Sequence, residues 1–210
     1  MKTYPSIHPS TGQKFLEMLQ AYVFDKYDGS NLRWEWNRKQ GRGSGKWNKF
    51  GSRTVLFDAS HPIFGCAVPV FMDVLAEPIE RWAVDNRHEN ITAFTEFWGA
   101  NSFAGNHDPN DDFKTLTLFD INVYKKGMLS PAEFLKDFGG TYFAANFRGR
   151  YNWTREFVQR VRDGSFDCTF EGVVGKVGSG HNITMCKAKT QAWIDKVRAV
   201  CDNPDDIINS

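Results

Sequence analysis

Lys26-Tyr27-Asp28-Gly29-Ser30-Asn31 is the stretch from which the rest of the chain is read. Taken alone, it is a strand ending in an Asp-Gly turn, a frequent hairpin signal. It also places a lysine two residues before a carboxylate. Lysine is a nucleophile only when its surroundings favour the neutral amine, because the free group titrates at about 10.4. The chemistry of this stretch therefore depends on what the fold brings to Lys26.

Upstream, Phe15, Met18, Leu19 and Tyr22 recur at helical spacing, which predicts a helix over 13–23. Downstream, Arg33, Arg38, Lys39, Arg42, Lys46, Lys49 and Arg53 face a single acid, Glu35, and are interleaved with Trp34, Trp36, Trp47 and Phe50. The glycine-rich break at 41–46 between two strand-like runs reads as a hairpin. Its spacing is not that of a P-loop. Basic residues mixed with aromatics point toward nucleic acid, with Arg33, Arg38, Lys39, Arg42, Lys46 and Lys49 as candidate phosphate contacts. Trp34 and Trp36 share one strand face and read equally as core or as stacking platform. A second basic run, Arg148, Arg150, Arg155, Arg160 and Arg162, is partly offset by Glu156 and by an acidic tail.

The remaining pattern is mixed. Helical spacing covers 66–86, a capping box at Ser130-Pro131-Ala132-Glu133 opens a helix to about Phe138, and further helices are expected over 154–163 and 191–200. Strands are expected over 92–98, 114–124, 170–177 and 182–190. Strands outnumber helices without βαβ regularity, so the fold class is α+β with largely antiparallel sheets. The 210 residues, 41% hydrophobic and 24% charged, suffice for a single domain with its own core and exclude disorder or coiled coil for the whole chain. No apolar run reaches the roughly 18 residues of a transmembrane helix, and no apolar signal segment opens the chain. Cys66, Cys168, Cys186 and Cys201 are widely spaced, so a reduced, cytoplasmic chain is expected.

The ordered set of short motifs resembles the covalent nucleotidyltransferase superfamily of ATP-dependent ligases and mRNA-capping enzymes. Lys26 to Asn31 resembles motif I. Ser52-Arg53-Thr54 resembles the arginine segment after it, and Phe94-Thr95-Glu96-Phe97-Trp98-Gly99 resembles motif III. Leu118-Phe119-Asp120-Ile121 resembles motif IIIa, Phe170-Glu171-Gly172-Val173-Val174 motif IV, and Lys187-Ala188-Lys189 motif V. Asn31 and the Phe-Asp-Ile phrase are similar to the RNA ligase branch that seals nicks in duplex RNA. Asp28, in contrast, is the residue found in DNA ligases.

The resemblance implies a nucleotidyltransferase domain over 1–210 with two sheets flanking an ATP cleft, broadly like ATP-grasp architecture. The C-terminal oligonucleotide-binding barrel of DNA ligases and capping enzymes is a departure: only 21 residues follow Lys189, so no such barrel is expected. The resemblance implies Lys26 as nucleophile, with Glu171, Lys187 and Lys189 as catalytic partners. Asp28, Asn31, Arg53, Glu96 and Phe119, with Lys187 and Lys189, are implied to hold ATP, with Glu96 on the ribose and Phe119 on adenine. Glu171 and Asp120 are implied to hold Mg2+ or Mn2+. The implied reaction passes through lysyl-AMP, moves AMP to a 5′-phosphate end and joins that end to a 3′-hydroxyl. RNA is the expected substrate and a monomer the expected state. The alternatives are a minimal DNA ligase, a catalytically inactive nucleic-acid-binding relative and, last, a GTP-dependent capping enzyme.

Overall fold

The computed structural model describes residues 1–9, 18–39, 47–108, 110–111 and 113–209. Arg42, Lys46 and the loop at 41–46 lie outside the described residues. The chain divides into two compact units of non-contiguous segments, each built on one sheet. The first comprises Met1–Tyr4, Gly29–Ala144 and Ser179–His181, and the second Pro5–Asp28, Ala145–Gly178 and Asn182–Ser210.

The second unit carries a five-stranded sheet. Its strands are β1 (His8–Pro9), β2 (Met18–Lys26), β9 (Phe147–Trp153), β10 (Gly172–Val177) and β11 (Thr184–Lys189), in the order β1-β11-β10-β2-β9. Only the β1–β11 pair is parallel among them. Met18 to Val23 is therefore strand, which corrects the helix expected there. Alternation explains the outcome: Ala21 and Val23 turn inward against α4 (Arg155–Arg162), with Trp153, Phe157, Val161, Val173, Cys186 and Ala188. Thr154 caps α4, accepting a hydrogen bond from Phe157 N at 3.2 Å. The second basic run is split between β9 and α4. Helix α5 (Gln191–Val200) follows β11 directly, and the acidic tail forms a short helix, α6 (Pro204–Asn209).

The first unit holds an antiparallel six-stranded sheet in the order β5-β4-β3-β6-β7-β8. Its strands are β3 (Ser30–Asn37), β4 (Trp47–Gly51), β5 (Leu56–Phe57), β6 (Asn90–Gly99), β7 (Lys114–Val123) and β8 (Gly127–Met128). Helices α1 (Ala67–Phe71) and α2 (Glu77–Asp85) are joined by a π turn at Met72–Ala76. Pro78 follows that turn and cannot donate within a regular helix. Trp34 stacks on Phe71 at 4.0 Å and donates to Thr95 Oγ1 at 2.9 Å, while Trp47 donates to the Ala76 carbonyl at 3.2 Å. Trp34, Trp36 and Trp47 are buried core, which removes the stacking-platform reading. The expected capping box is present on α3 (Pro131–Phe138).

The register of the second unit places Lys26, Gly172 and Lys189 side by side on β2, β10 and β11. Gly172 has φ 136°, and a Cβ there would lie 2.0 Å from the Ala188 carbonyl oxygen. Both the dihedral and the backbone contact exclude a larger residue. Gly172→Ala is expected to cost about 2–4 kcal/mol of stability. Urea unfolding followed by fluorescence checks this, and a midpoint equal to wild type would refute it.

Candidate active site

Alternation on β2, β10 and β11 turns Val23, Val173 and Ala188 toward the α4 core, and Lys26, Lys187 and Lys189 toward the opposite face. Lys26 and Lys189 are two strands apart, about 10 Å at the backbone. Between them stands Gly172, which has no side chain to fill the gap. Glu171, the residue before β10, closes it. One oxygen, Oε1, lies 2.7 Å from Lys26 Nζ and 3.4 Å from Lys189 Nζ, and the carboxylate is 4% exposed. Burial pushes the Lys189 ammonium down to about 8, opposed by the Glu171 charge and assisted by that of Lys26.

The backbone around this trio is tied down. The Thr169 hydroxyl lies against the Lys26 carbonyl and, at 3.0 Å, the Gly172 carbonyl. Thr190 N donates to the Glu171 carbonyl at 3.0 Å, and Thr190 Oγ1 donates to the Phe170 carbonyl at 2.6 Å. On the other face of β2, the buried Asp25 accepts both Arg148 Nε and Nη2 at 2.7 Å, together with Thr169 N at 3.2 Å. That two-pronged bond holds the Arg148 guanidinium above its ordinary range.

Three features here were not legible in the sequence. Asp28 accepts a hydrogen bond from Trp193 Nε1 at 2.6 Å. Lys189 Nζ sits 4.1 Å from the centroid of the same indole ring. The last carbonyls of α6 accept from the motif V lysines: Lys189 Nζ donates to Ile207 O at 3.0 Å and Lys187 Nζ to Asn209 O at 3.2 Å. Final-turn carbonyls of a helix are open acceptors carrying partial negative charge.

The first unit gathers a second set. Asn31 on β3 is paired with Glu96 on β6. Gly29 is a required residue, because a Cβ there would lie 2.1 Å from the Phe97 carbonyl oxygen. Between Phe94 and Thr95 the β6–β7 register slips by one residue, leaving Phe119 as the unpaired residue of a bulge. The bulge breaks the clean alternation read for 114–124. Neighbouring residues Phe119 and Asp120 accordingly meet the same side chain, Tyr4. Its ring lies 4.9 Å from Phe119 at 83°, and its hydroxyl donates to Asp120 Oδ2 at 2.5 Å. Burial, then the charge of Asp120, raises the Tyr4 hydroxyl well above its ordinary range, so it remains a donor.

Of the basic candidates, Arg38, Lys39, Lys49 and Arg53 are exposed, with Lys39 paired to Glu89 and Lys49 to Glu35. Arg33 is interior instead. It is buried on β3 and its Nε has no hydrogen-bond partner among the described residues, which corrects its reading as a surface phosphate contact. Lys26, Asp28, Glu171, Lys187 and Lys189 thus belong to the second unit, whereas Asn31, Arg53, Glu96, Phe119 and Asp120 belong to the first. Among the described residues no three His, Cys, Asp or Glu side chains cluster as a ready-made metal centre, and no helix is long and apolar enough to cross a membrane.

The fold is the α+β nucleotidyltransferase fold of polynucleotide ligases. It is shared with Naegleria gruberi RNA ligase bound to pyrophosphate, at TM-score 0.66 and 16% identity over 95% of this chain and 58% of that one. The same ligase with AMP and Mn superposes at TM-score 0.63 and 16% identity, covering 93% of this chain and 58% of that one. A protein from Aquifex aeolicus assigned as an ATP-dependent DNA ligase matches at TM-score 0.62 and 18% identity, over 99% of this chain and 57% of that one. The chain therefore spans less than two-thirds of the length of these relatives. No protein-family model and no curated sequence matches it.

Lys189 is charged below about 8 and neutral above it. An anion held by this lysine is bound most tightly on the acid side. Affinity for a triphosphate such as ATP is expected to fall about 10-fold between pH 7 and pH 9. Lys189→Arg, which keeps its proton throughout, should flatten that decline. Equilibrium titration with ATP at each pH checks both, and a decline equally steep in Lys189→Arg would sink the assignment.

Proposed function

We propose that this chain is an ATP-dependent polynucleotide ligase that works through a covalent lysyl-AMP intermediate and prefers RNA ends. The observation that carries the reading is the shared Glu171 oxygen, which pairs Lys26 and Lys189 across the side-chain gap at Gly172. Such a pair offers a nucleophilic amine beside a cation suited to a phosphate. Phosphoryl transfer is catalysed mainly by positioning and charge stabilisation, and this arrangement supplies both.

In the first step the lone pair of neutral Lys26 Nζ attacks the α-phosphorus of ATP. A P–N bond forms, the bond to the bridging oxygen of pyrophosphate breaks, and the proton released from the nitrogen passes to solvent. Lys187 and Lys189 balance the charge growing on the α-phosphate. Glu96 holds the ribose and Phe119 stacks on adenine, its ring re-aimed by the bulge. The AMP then passes to a 5′-phosphate end, and attack by a 3′-hydroxyl expels AMP as the phosphodiester forms. Asn31 and Arg53 contact the nucleotide or the incoming end. Arg38, Lys39 and Lys49 supply exposed positive charge for the backbone.

Glu171 and Asp120, with Asp28, provide carboxylate oxygens of the kind Mg2+ and Mn2+ accept. A cation held there would neutralise phosphate charge. Glu171 suits this role because modification of Lys26 removes one of the two ammonium ions that now claim its oxygen. The chain acts as a monomer in a reduced, cytoplasmic setting, in keeping with four free cysteines. Minimal DNA ligation is the second reading, favoured by Asp28 and by the Aquifex neighbour.

Incubation with α-labelled ATP and Mg2+, then denaturing electrophoresis, should give a labelled band that Lys26→Ala abolishes. GTP in parallel should give none. The band surviving in Lys26→Ala would refute the nucleophile assignment. Nicked RNA should be sealed faster than nicked DNA, and the reverse order would select the second reading.

A further inference from the structure

We propose that Trp193 is a positioning residue for formation of lysyl-AMP, orienting the Asp28 carboxylate with its indole edge and the Lys189 ammonium with its indole face. The inference deepens the proposed function and rests on Lys26 being the nucleophile. An indole has an N–H donor in its plane and an electron-rich face perpendicular to it. One ring can thus serve an anion and a cation at once. Trp193 does both: Nε1 lies 2.6 Å from Asp28 Oδ2, and Lys189 Nζ lies 4.1 Å from the ring centroid. It is 1% exposed and sits in the first turn of α5.

The mount is rigid. Thr190 caps α5 by accepting from Trp193 N at 3.1 Å, and the same threonine donates to the carbonyls of Phe170 and Glu171. Motif IV, motif V and Asp28 of motif I are therefore joined through two side chains, Thr190 and Trp193. Other tryptophans are engaged differently. Trp34 and Trp47 donate to neutral oxygens in a core. Trp153 and Trp36 have buried Nε1 atoms without a partner among the described residues. Trp82 donates to Asp137 at an exposed position.

Without the indole N–H, the Asp28 carboxylate loses the donor that orients Oδ2. Without the ring face, Lys189 loses the surface that fixes its ammonium beside Glu171. These losses separate cleanly by substitution. Trp193→Phe keeps a face and removes the donor, whereas Trp193→Leu removes both.

The test is single-turnover adenylylation with labelled ATP. Trp193→Phe is expected to slow the step about 10- to 100-fold at saturating ATP, with half-saturation within about threefold of wild type. Trp193→Leu should also raise half-saturation as Lys189 drifts. If the effect runs through Asp28, Trp193→Phe combined with Asp28→Asn should be no slower than the slower single variant. A wild-type rate in Trp193→Phe, or losses that multiply in the double variant, overturns the proposal. A second measurement needs no change at Trp193. In protein labelled with 15N-tryptophan, the indole signal that moves in Asp28→Asn should also move when wild type is adenylylated. A signal unmoved by the adduct overturns the proposal even if Trp193→Phe fails to fold. The Lys26→Ala control keeps the two readings apart: an adduct in wild type and none in Lys26→Ala upholds the nucleophile whatever Trp193 does. No adduct in wild type removes the proposed function and this inference together.

Discussion

A single carboxylate oxygen shared by two lysines organises the second unit. Glu171 Oε1 faces Lys26 and Lys189, and the carboxylate is almost wholly buried. A buried charge is tolerated only when paired and held, and two cations satisfy this one from both sides. The arrangement depends on register. Lys26 and Lys189 stand level on strands either side of β10 because Gly172 pairs with both. A shift of one residue in either ladder would turn one lysine into the α4 core. The aligned pairing, the glycine between the lysines and the carboxylate before it thus form one constraint. Asp25, Arg148, Thr169 and Thr190 hold the local backbone to it.

The first unit solves a different problem by breaking a ladder. A regular strand sends neighbouring side chains to opposite faces, so Phe119 and Asp120 could not both serve one place. The bulge at that point lets them. Tyr4 records the result, touching the ring of one and the carboxylate of the other. Its hydroxyl stays protonated because burial and the adjacent carboxylate both resist ionisation. An edge-on ring beside Phe119 fixes the phenyl plane without covering both of its faces.

Much of this was legible in the sequence where the signal is local and short in range. The α3 capping box lies within four residues, and α5 begins and ends where its spacing predicted. The lysine pair of motif V shares a face because strands have a period of two. What could not be read comes from pairings across long stretches of chain. Met18 and Tyr22 fit a helical spacing, yet β9 and β10 claim them for the sheet. Trp34 and Trp36 share a face by alternation, but only the helix that covers it makes that face core. Trp193 and Asp28 are 165 residues apart, and nothing near either one announces the other. Arg33 belongs to a basic run by composition, yet it lies in a stretch of β3, residues 32–36, that is buried on both faces.

The α6 contacts set the electrostatic character of the lysine face. Lys187 and Lys189 are met by the carbonyls of Asn209 and Ile207, which are dipoles rather than formal charges. These bonds are already charge-assisted on the donor side, and a phosphate oxygen would add the attraction of a second, opposite formal charge. The carbonyls meanwhile give each of two largely buried ammonium groups an acceptor, which for Lys189 is additional to Glu171. Desolvation then acts in the same direction as this preference. By lowering Lys189 toward neutrality, it makes the gain from meeting a full negative charge larger than it would be for a solvated lysine. Positions 187 and 189 thus combine satisfied ammonium groups with a local positive potential, and both follow from two strand positions on one face.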